Sequence, residues 1–266
     1  LDTDARRRVM ETGQFLINVL AVGSFEEHGK GLRSIQHVRL MHAAVRQLIE
    51  ARNKQQPGLW DPDWGIPINQ EDLAGTMLSF SYVPVGPLRQ LGVHVSTKDA
   101  EAYLHLWNVI GHLLGLNDEL RVCGICDATA LVEAVRHRQF RASPEGQHMT
   151  AALMKLLDDM TPFHRFDETV PPLIRHLIGD DIADILLVPK SNLTDDLGRL
   201  ERLSNWFFVH IFGRAERDSP CYQRVSRLIR PFGHDLLHGL FRLQRGGQRA
   251  PFDIPDHLAR SWELSA

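Results

Sequence analysis

Nearly every stretch of this chain repeats its apolar residues every three to four positions, and none alternates with period two long enough to make a strand. That restricts it to helices, punctuated by Gly and Pro. A first helix is expected from Asp4 to about Val22, carrying Val9, Leu16, Val19 and Leu20 and ended by Gly23. After a polar loop over Glu26 to Gly31, a second helix runs to about Asn53, before Pro57. Trp60 to Pro67 reads as an irregular connection whose two Trp pack together. Asn69 with Asp72, and Ser96 with Asp99, have the spacing of capping boxes, and Gly115 closes the helix that Ser96 opens. Thr129 to Arg141 is a further helix, and Ser143-Pro144 starts one that runs through Leu157. Pro171 to Leu187, Asp195 to Phe212 and about Tyr222 to Leu243 complete the set. No repeat or long linker divides the chain, so the expectation is an all-α fold in one domain over residues 1–266.

Composition removes several functional classes. A net charge of -3 gives no basic surface for nucleic acid, and three Cys in 266 residues make no disulfide framework. No run of eighteen apolar residues marks a membrane span. The chain starts at Leu1, already in helical pattern, so the expectation is a soluble protein, cytoplasmic or secreted with an upstream segment removed. Its oligomeric state stays open.

The stretch with the most chemistry runs from Gln36 to Ile49. Residues three and four apart share a helical face, so Arg39 and Arg46 stand about one turn either side of His42. The stripe Val38, Met41, Val45 and Leu48 runs beside them, placing His42 at the edge of an apolar face. A neutral imidazole between two fixed cations suits haem: the imidazole takes iron and the guanidiniums take the propionates. A hydrogen-bonded core histidine has the same spacing, and the residues alone leave both readings open.

Other motifs carry less. Cys123-Gly124-Ile125-Cys126 lacks a second pair for zinc, a strand-helix context for a thioredoxin-like site, and a following His for c-type haem attachment. Two semi-buried thiols at a helix start are the simpler expectation. His234 and His238 have a metal-sharing spacing, but no Glu follows the first of them. Asp158-Asp159 and Asp180-Asp181 read as helix-end or solvated charges.

The stretch Val38-Arg39-Leu40-Met41-His42-Ala43-Ala44-Val45-Arg46, followed by Pro67-Ile68-Asn69-Gln70-Glu71-Asp72-Leu73, resembles the rubber-oxygenase family. That family comprises the latex clearing proteins and relatives, including a fungal oxygenase of mycophenolate biosynthesis. Ala102-Tyr103-Leu104-His105-Leu106-Trp107, Ser143-Pro144-Glu145-Gly146 and Ile174-Arg175-His176-Leu177-Ile178-Gly179 follow in the family's order. The resemblance implies a globin-like helical core holding haem b, with His42 as the proximal iron ligand. It implies Arg39 and Arg46 flanking that ligand, and Arg175 as a further propionate partner. The family's Arg-x-x-Lys-Thr motif over the distal face corresponds to Arg8-Val9-Met10-Glu11-Thr12, with Glu11 in place of Lys. Thr76 corresponds to a second distal Thr. The family's suspected base would fall before Leu1, and Glu11 is the candidate to replace it.

By resemblance, then, the expected activity is oxidative cleavage of C=C bonds by haem b and O2. The substrate would be an isoprenoid or other hydrophobic alkene, and the products two carbonyl ends. The rival expectations are a non-catalytic haem-binding or sensing protein, and a helical interaction protein without haem.

Overall fold

The computed structural model describes residues 2–90, 94–159 and 170–190, and every regular element among them is helical. In chain order these are α1 (Asp2–Leu20), α2 (Lys30–Gln55), α3 (Gln70–Ser81), α4 (Val85–Gln90) and α5 (Thr97–Leu114). They are followed by α6 (Ile125–Gln139), α7 (Pro144–Asp159), α8 (Val170–Ile178) and α9 (Asp180–Ile185). Single 3-10 turns occur at Pro62–Trp64 and Asp118–Leu120. The expected helices over Asp195 to Phe212 and Tyr222 to Leu243, together with His234 and His238, lie outside the described residues. No described helix is long and apolar enough to cross a membrane.

The chain divides into two compact units, Leu1–Ile35 with Asn69–Arg214, and Gln36–Ile68 with Ala215–Ala266. In the first, α3 packs on α5 and α6, α1 on α7, and α8 on α7 and α9. Leu73, Ala74, Met77 and Leu78 bury one face of α3, and Leu104, Trp107, Ile110 and Leu114 bury a stripe of α5. Trp107 is 1% exposed, stacks on Phe80 with centroids 5.2 Å apart, and meets Tyr103 edge-on at 6.3 Å. A smaller cluster of Leu78, Leu104, Val122 and Ala128 seats α6 on that core.

The expected caps form. Asn69 accepts the Asp72 N–H and Asp72 accepts the Asn69 N–H, each at 3.0 Å. Ser96 accepts the Asp99 N–H at 3.1 Å, and its hydroxyl donates to the Asp99 carboxylate at 2.6 Å. Ser143 accepts the Gly146 N–H at 3.0 Å. Gly115 closes α5 at φ 94°, a left-handed conformation that costs glycine no Cβ clash. The Leu116 N–H then donates to the Gly111 carbonyl at 2.9 Å and buries Leu116, a Schellman ending.

Three boundaries differ from the sequence expectation. α6 starts at Ile125 rather than Thr129, and the Thr129 hydroxyl donates to the Ile125 carbonyl one turn back at 2.8 Å. The segment from Pro171 to Leu187 is two helices, broken at Gly179 with φ 83°. α4 falls where no helix was expected, in a run between Pro84 and Gln90 too short for its period to be read. Cys123 and Cys126 are both free and exposed, not semi-buried: the core contacts of α6 are made by Ile125, Ala128, Leu131 and Val132.

Candidate functional site

Helix α2 carries Arg39, His42 and Arg46, all within the second unit. Among its residues only Gly31 and Ile35 are buried, so the expected apolar stripe is only partly covered. Val38, Val45 and Leu48 are half-buried, and Met41 is exposed. His42 is itself half-buried. Burial first, and the Arg46 guanidinium second, hold its imidazole below the usual 6.5, which favours the neutral, metal-ligating form near pH 7. The Trp60 and Trp64 rings pack edge-on at 5.2 Å as expected, and the Trp60 indole donates to the Gly65 carbonyl at 2.8 Å.

Arg46 does something the sequence did not announce. Its Nε donates to the Pro67 carbonyl at 2.9 Å and its Nη2 to the Ile68 carbonyl at 2.8 Å. Ile68 has φ 55°, a conformation that a β-branched residue adopts only under constraint from its surroundings. Arg46 is therefore a clasp between α2 and the connection that leads to Asn69. Replacing it with Ala should cost about 1–3 kcal/mol, from two charge-assisted bonds lost and two carbonyls left short. It should also let the His42 pKa rise toward 6.5, since one of the two causes of its depression is removed. Urea unfolding and an NMR titration of the His42 ring would read both effects. Arg46→Lys should restore the charge but not the forked bonds.

Of the candidates in the first unit, Arg8, Glu11, Thr12 and Thr76 stand in open settings and Arg175 is buried. Arg8, Glu11 and Thr12 are exposed on α1, and Glu11 pairs with Arg7 at 3.8 Å, one turn away. Thr76 is exposed on α3 and donates to the Asp72 carbonyl of its own helix at 2.7 Å. Arg175, 9% exposed, donates through Nε to Asp180 at 2.9 Å, through Nη1 to the Val188 carbonyl at 2.7 Å, and through Nη2 to Asp184 at 2.5 Å. It thus ties α8 to α9 across the break at Gly179. Asp180, read from sequence as a helix-end charge, is one of its partners. The bonds of Thr76 and Arg175 run to groups other than the remaining candidates. A shallow groove of about 410 Å³, lined by residues that include Leu20, Phe25, Glu26 and Leu106, touches none of them.

Among the described residues, His42 and Asp184 have shifts that bear on the acid response. His42 has a lowered folded-state pKa, so its contribution is present above 6.5 and is lost as pH falls through the folded value. The Asp184 carboxyl is held below the usual 3.8 by Arg175 first and Lys190 second, so its contribution disappears only in stronger acid. Unfolding free energy measured against pH should fall in two stages, and His42→Leu should remove the first without moving the second.

The catalytic-domain model described as "ER-bound oxygenase mpaB/B'/Rubber oxygenase" matches residues 1–192. The chain belongs to this oxygenase family. It is 29% identical over 262 residues to the rubber oxygenase of Streptomyces sp. (strain K30), a match covering 95% of this chain and 60% of that protein. It superposes on the closed-state structure of the latex clearing protein LCP with a TM-score of 0.65 and 25% identity, over 94% of this chain and 65% of that one. It therefore shares the all-α fold of that protein while spanning less than two thirds of either relative's length.

The family resemblance rests on motifs that turn out to be joints of the fold. Asn69 and Asp72 form a capping box. Gln70 donates to the Gly115 carbonyl at 3.0 Å and accepts the Asn117 N–H at 2.8 Å, bolting the start of α3 to the end of α5. Glu71 pairs with Arg138 of α6 at 3.1 Å. Leu104 and Trp107 fill the core, and Ser143 caps α7.

Proposed function

We propose that this protein is a haem b-dependent oxygenase that uses O2 to cleave C=C bonds of a hydrophobic, isoprenoid-type substrate, leaving two carbonyl ends. The observation that carries the proposal is His42: a half-buried imidazole biased to its neutral form, with an Arg one turn to either side, in a chain of an oxygenase family. The donor set fits haem b. His42 supplies a neutral nitrogen for iron, Arg39 and Arg46 supply cations for the propionates, and the partly covered Val38, Val45 and Leu48 supply apolar surface for the ring. A guanidinium has five N–H donors, so Arg46 can hold the Pro67 and Ile68 carbonyls and still meet a carboxylate. Arg8 and Arg175 are proposed as further propionate partners, Arg175 at the expense of some of its bonds to α9.

Bound haem would supply the oxygen chemistry, and the chain supplies its placement and the proton handling. His42 would supply the imidazole nitrogen that holds the iron. The Thr12 hydroxyl, and the Thr76 hydroxyl at the expense of its bond to the Asp72 carbonyl, are the proposed hydrogen-bond donors in the reaction. The Glu11 carboxylate is the proposed base, accepting a proton from the substrate and returning it later. The substrate class follows the name of the Streptomyces relative: polyisoprene, or a smaller alkene-bearing lipid.

Oxygen uptake by the haem-loaded protein, with a polyisoprene emulsion and with squalene, tests this. Carbonyl products should be trapped as hydrazones in proportion to the O2 consumed. Full haem loading with neither uptake nor carbonyls would support a second reading, a haem-binding or sensing protein. The exposed, Arg7-paired state of Glu11 favours that second reading.

A further inference from the structure

We propose that Cys123 and Cys126 are a redox-active dithiol, a modification site that exchanges with low-molecular-weight disulfides such as oxidised glutathione. The proposal is independent of haem. It rests on three features of the start of α6. Both thiols are free and exposed, the setting in which cysteines react, whereas buried structural cysteines are inert. They bracket one turn: Cys126 is the second residue of α6, and the Cys123 N–H donates to the Asp127 carboxylate at 3.1 Å, which folds Cys123 back against that turn. Between them Gly124 is extended, and a Cβ built on it would meet nothing within 4 Å, so the segment has room to adjust as the sulfurs approach. Gly124 is fully extended, which holds the two Cα atoms further apart than a disulfide spans, so closing the pair takes a rotation about Gly124, the residue with no Cβ to hinder it.

The exchange balances without another reagent. One cysteine thiolate attacks a sulfur of the small disulfide, forming a mixed disulfide and releasing one thiolate. The other cysteine gives up its proton and attacks the protein-side sulfur, releasing the second small thiol. Both cysteines are oxidised by one electron each, the small disulfide is reduced to two thiols, and the protein gains an S–S bond. The second attack is intramolecular and outruns a second external one, because its partner is only three residues away in the chain.

The bond would tie the 116–124 connection to α6. Val122 of that connection is buried against Leu78 and Leu104, and Asn108 holds the Val122 carbonyl at 2.7 Å. Oxidation should therefore leave the core intact and lock its edge.

The test uses the full chain equilibrated in reduced and oxidised glutathione mixtures, acid-quenched, alkylated and digested with trypsin. Cleavage after Arg121 and Arg136 places both cysteines in one peptide, Val122 to Arg136, while Cys221 falls in another. The expected result is that this peptide resists alkylation and is two hydrogens lighter in oxidising mixtures, and returns to the dialkylated form in reducing ones. Cys123→Ser and Cys126→Ser should each trap a glutathione adduct on the remaining cysteine, and Cys221→Ser should change nothing. A peptide dialkylated at every ratio, carrying two glutathiones, or cross-linked to Cys221 would overturn the proposal.

Discussion

Replacing His42 with Ala should strip the protein of haem. The bound cofactor should fall at least ~10-fold, since even outer-shell partners of a metal ligand are worth that much in affinity. The Soret absorption should fall with it. The fold should hardly notice: the ring is only half-buried, and α2 has no buried residue beyond Ile35, so apo-protein stability should shift by less than about 1 kcal/mol. That separation between cofactor loss and intact unfolding marks a ligand rather than a packing residue. Imidazole added to the variant should restore part of the spectrum by standing in for the lost side chain. If His42→Ala kept full haem and an unchanged spectrum, iron would be held elsewhere.

The largest effect on the fold should come from Trp107→Ala, at about 3–5 kcal/mol. The ring is 1% exposed, stacks on Phe80 of α3 and meets Tyr103 edge-on, so truncation opens a cavity where α3 and α5 join. Its Nε1 is buried without a hydrogen-bond partner among the described residues, an arrangement that costs about 1–3 kcal/mol. Trp107→Phe removes that orphaned donor while keeping most of the stack, so it should cost well under half as much as the alanine change. Urea unfolding of the three proteins decides this. Equal losses for Phe and Ala would mean that the indole N–H is satisfied in solution.

What could be read from the sequence was what residues settle with near neighbours. Asn69 with Asp72, Ser96 with Asp99, Ser143 with Gly146, and Gly115 all act within four residues, and each formed as expected. The same holds for Arg39, His42 and Arg46, whose alignment on one helix needs nothing beyond the helical period. Distant partners could not be read this way. Nothing local says that Arg46 reaches the Pro67 and Ile68 carbonyls, or that Arg175 spends its guanidinium on Asp180, Asp184 and Val188. Gly179 was legible as a glycine, yet its break of the apolar run from Pro171 to Leu187 comes from its left-handed backbone. Thr129, expected to start α6, lies one turn inside it and donates to the Ile125 carbonyl. The exposure of both Cys123 and Cys126 follows from α6 turning Ala128, Leu131 and Val132 inward, a choice of face that spacing leaves open.

The family motifs add a related point. Ile68 to Leu73 identifies the family because it builds a joint, through a cap, a Gln70 bridge, the Glu71 to Arg138 pair and a core leucine. Such residues report shared architecture. The proposed chemistry rests on other positions, His42 and Glu11 above all, and Glu11 stands where the resemblance places the family's Lys.

Haemin titration of the purified full-length protein, followed by its optical spectrum and a pyridine haemochromogen assay, tests the central claim most directly. One haem b bound per chain, with a Soret band that His42→Ala removes, is the expected result. No Soret band in the wild-type protein even with haemin in excess would contradict the account.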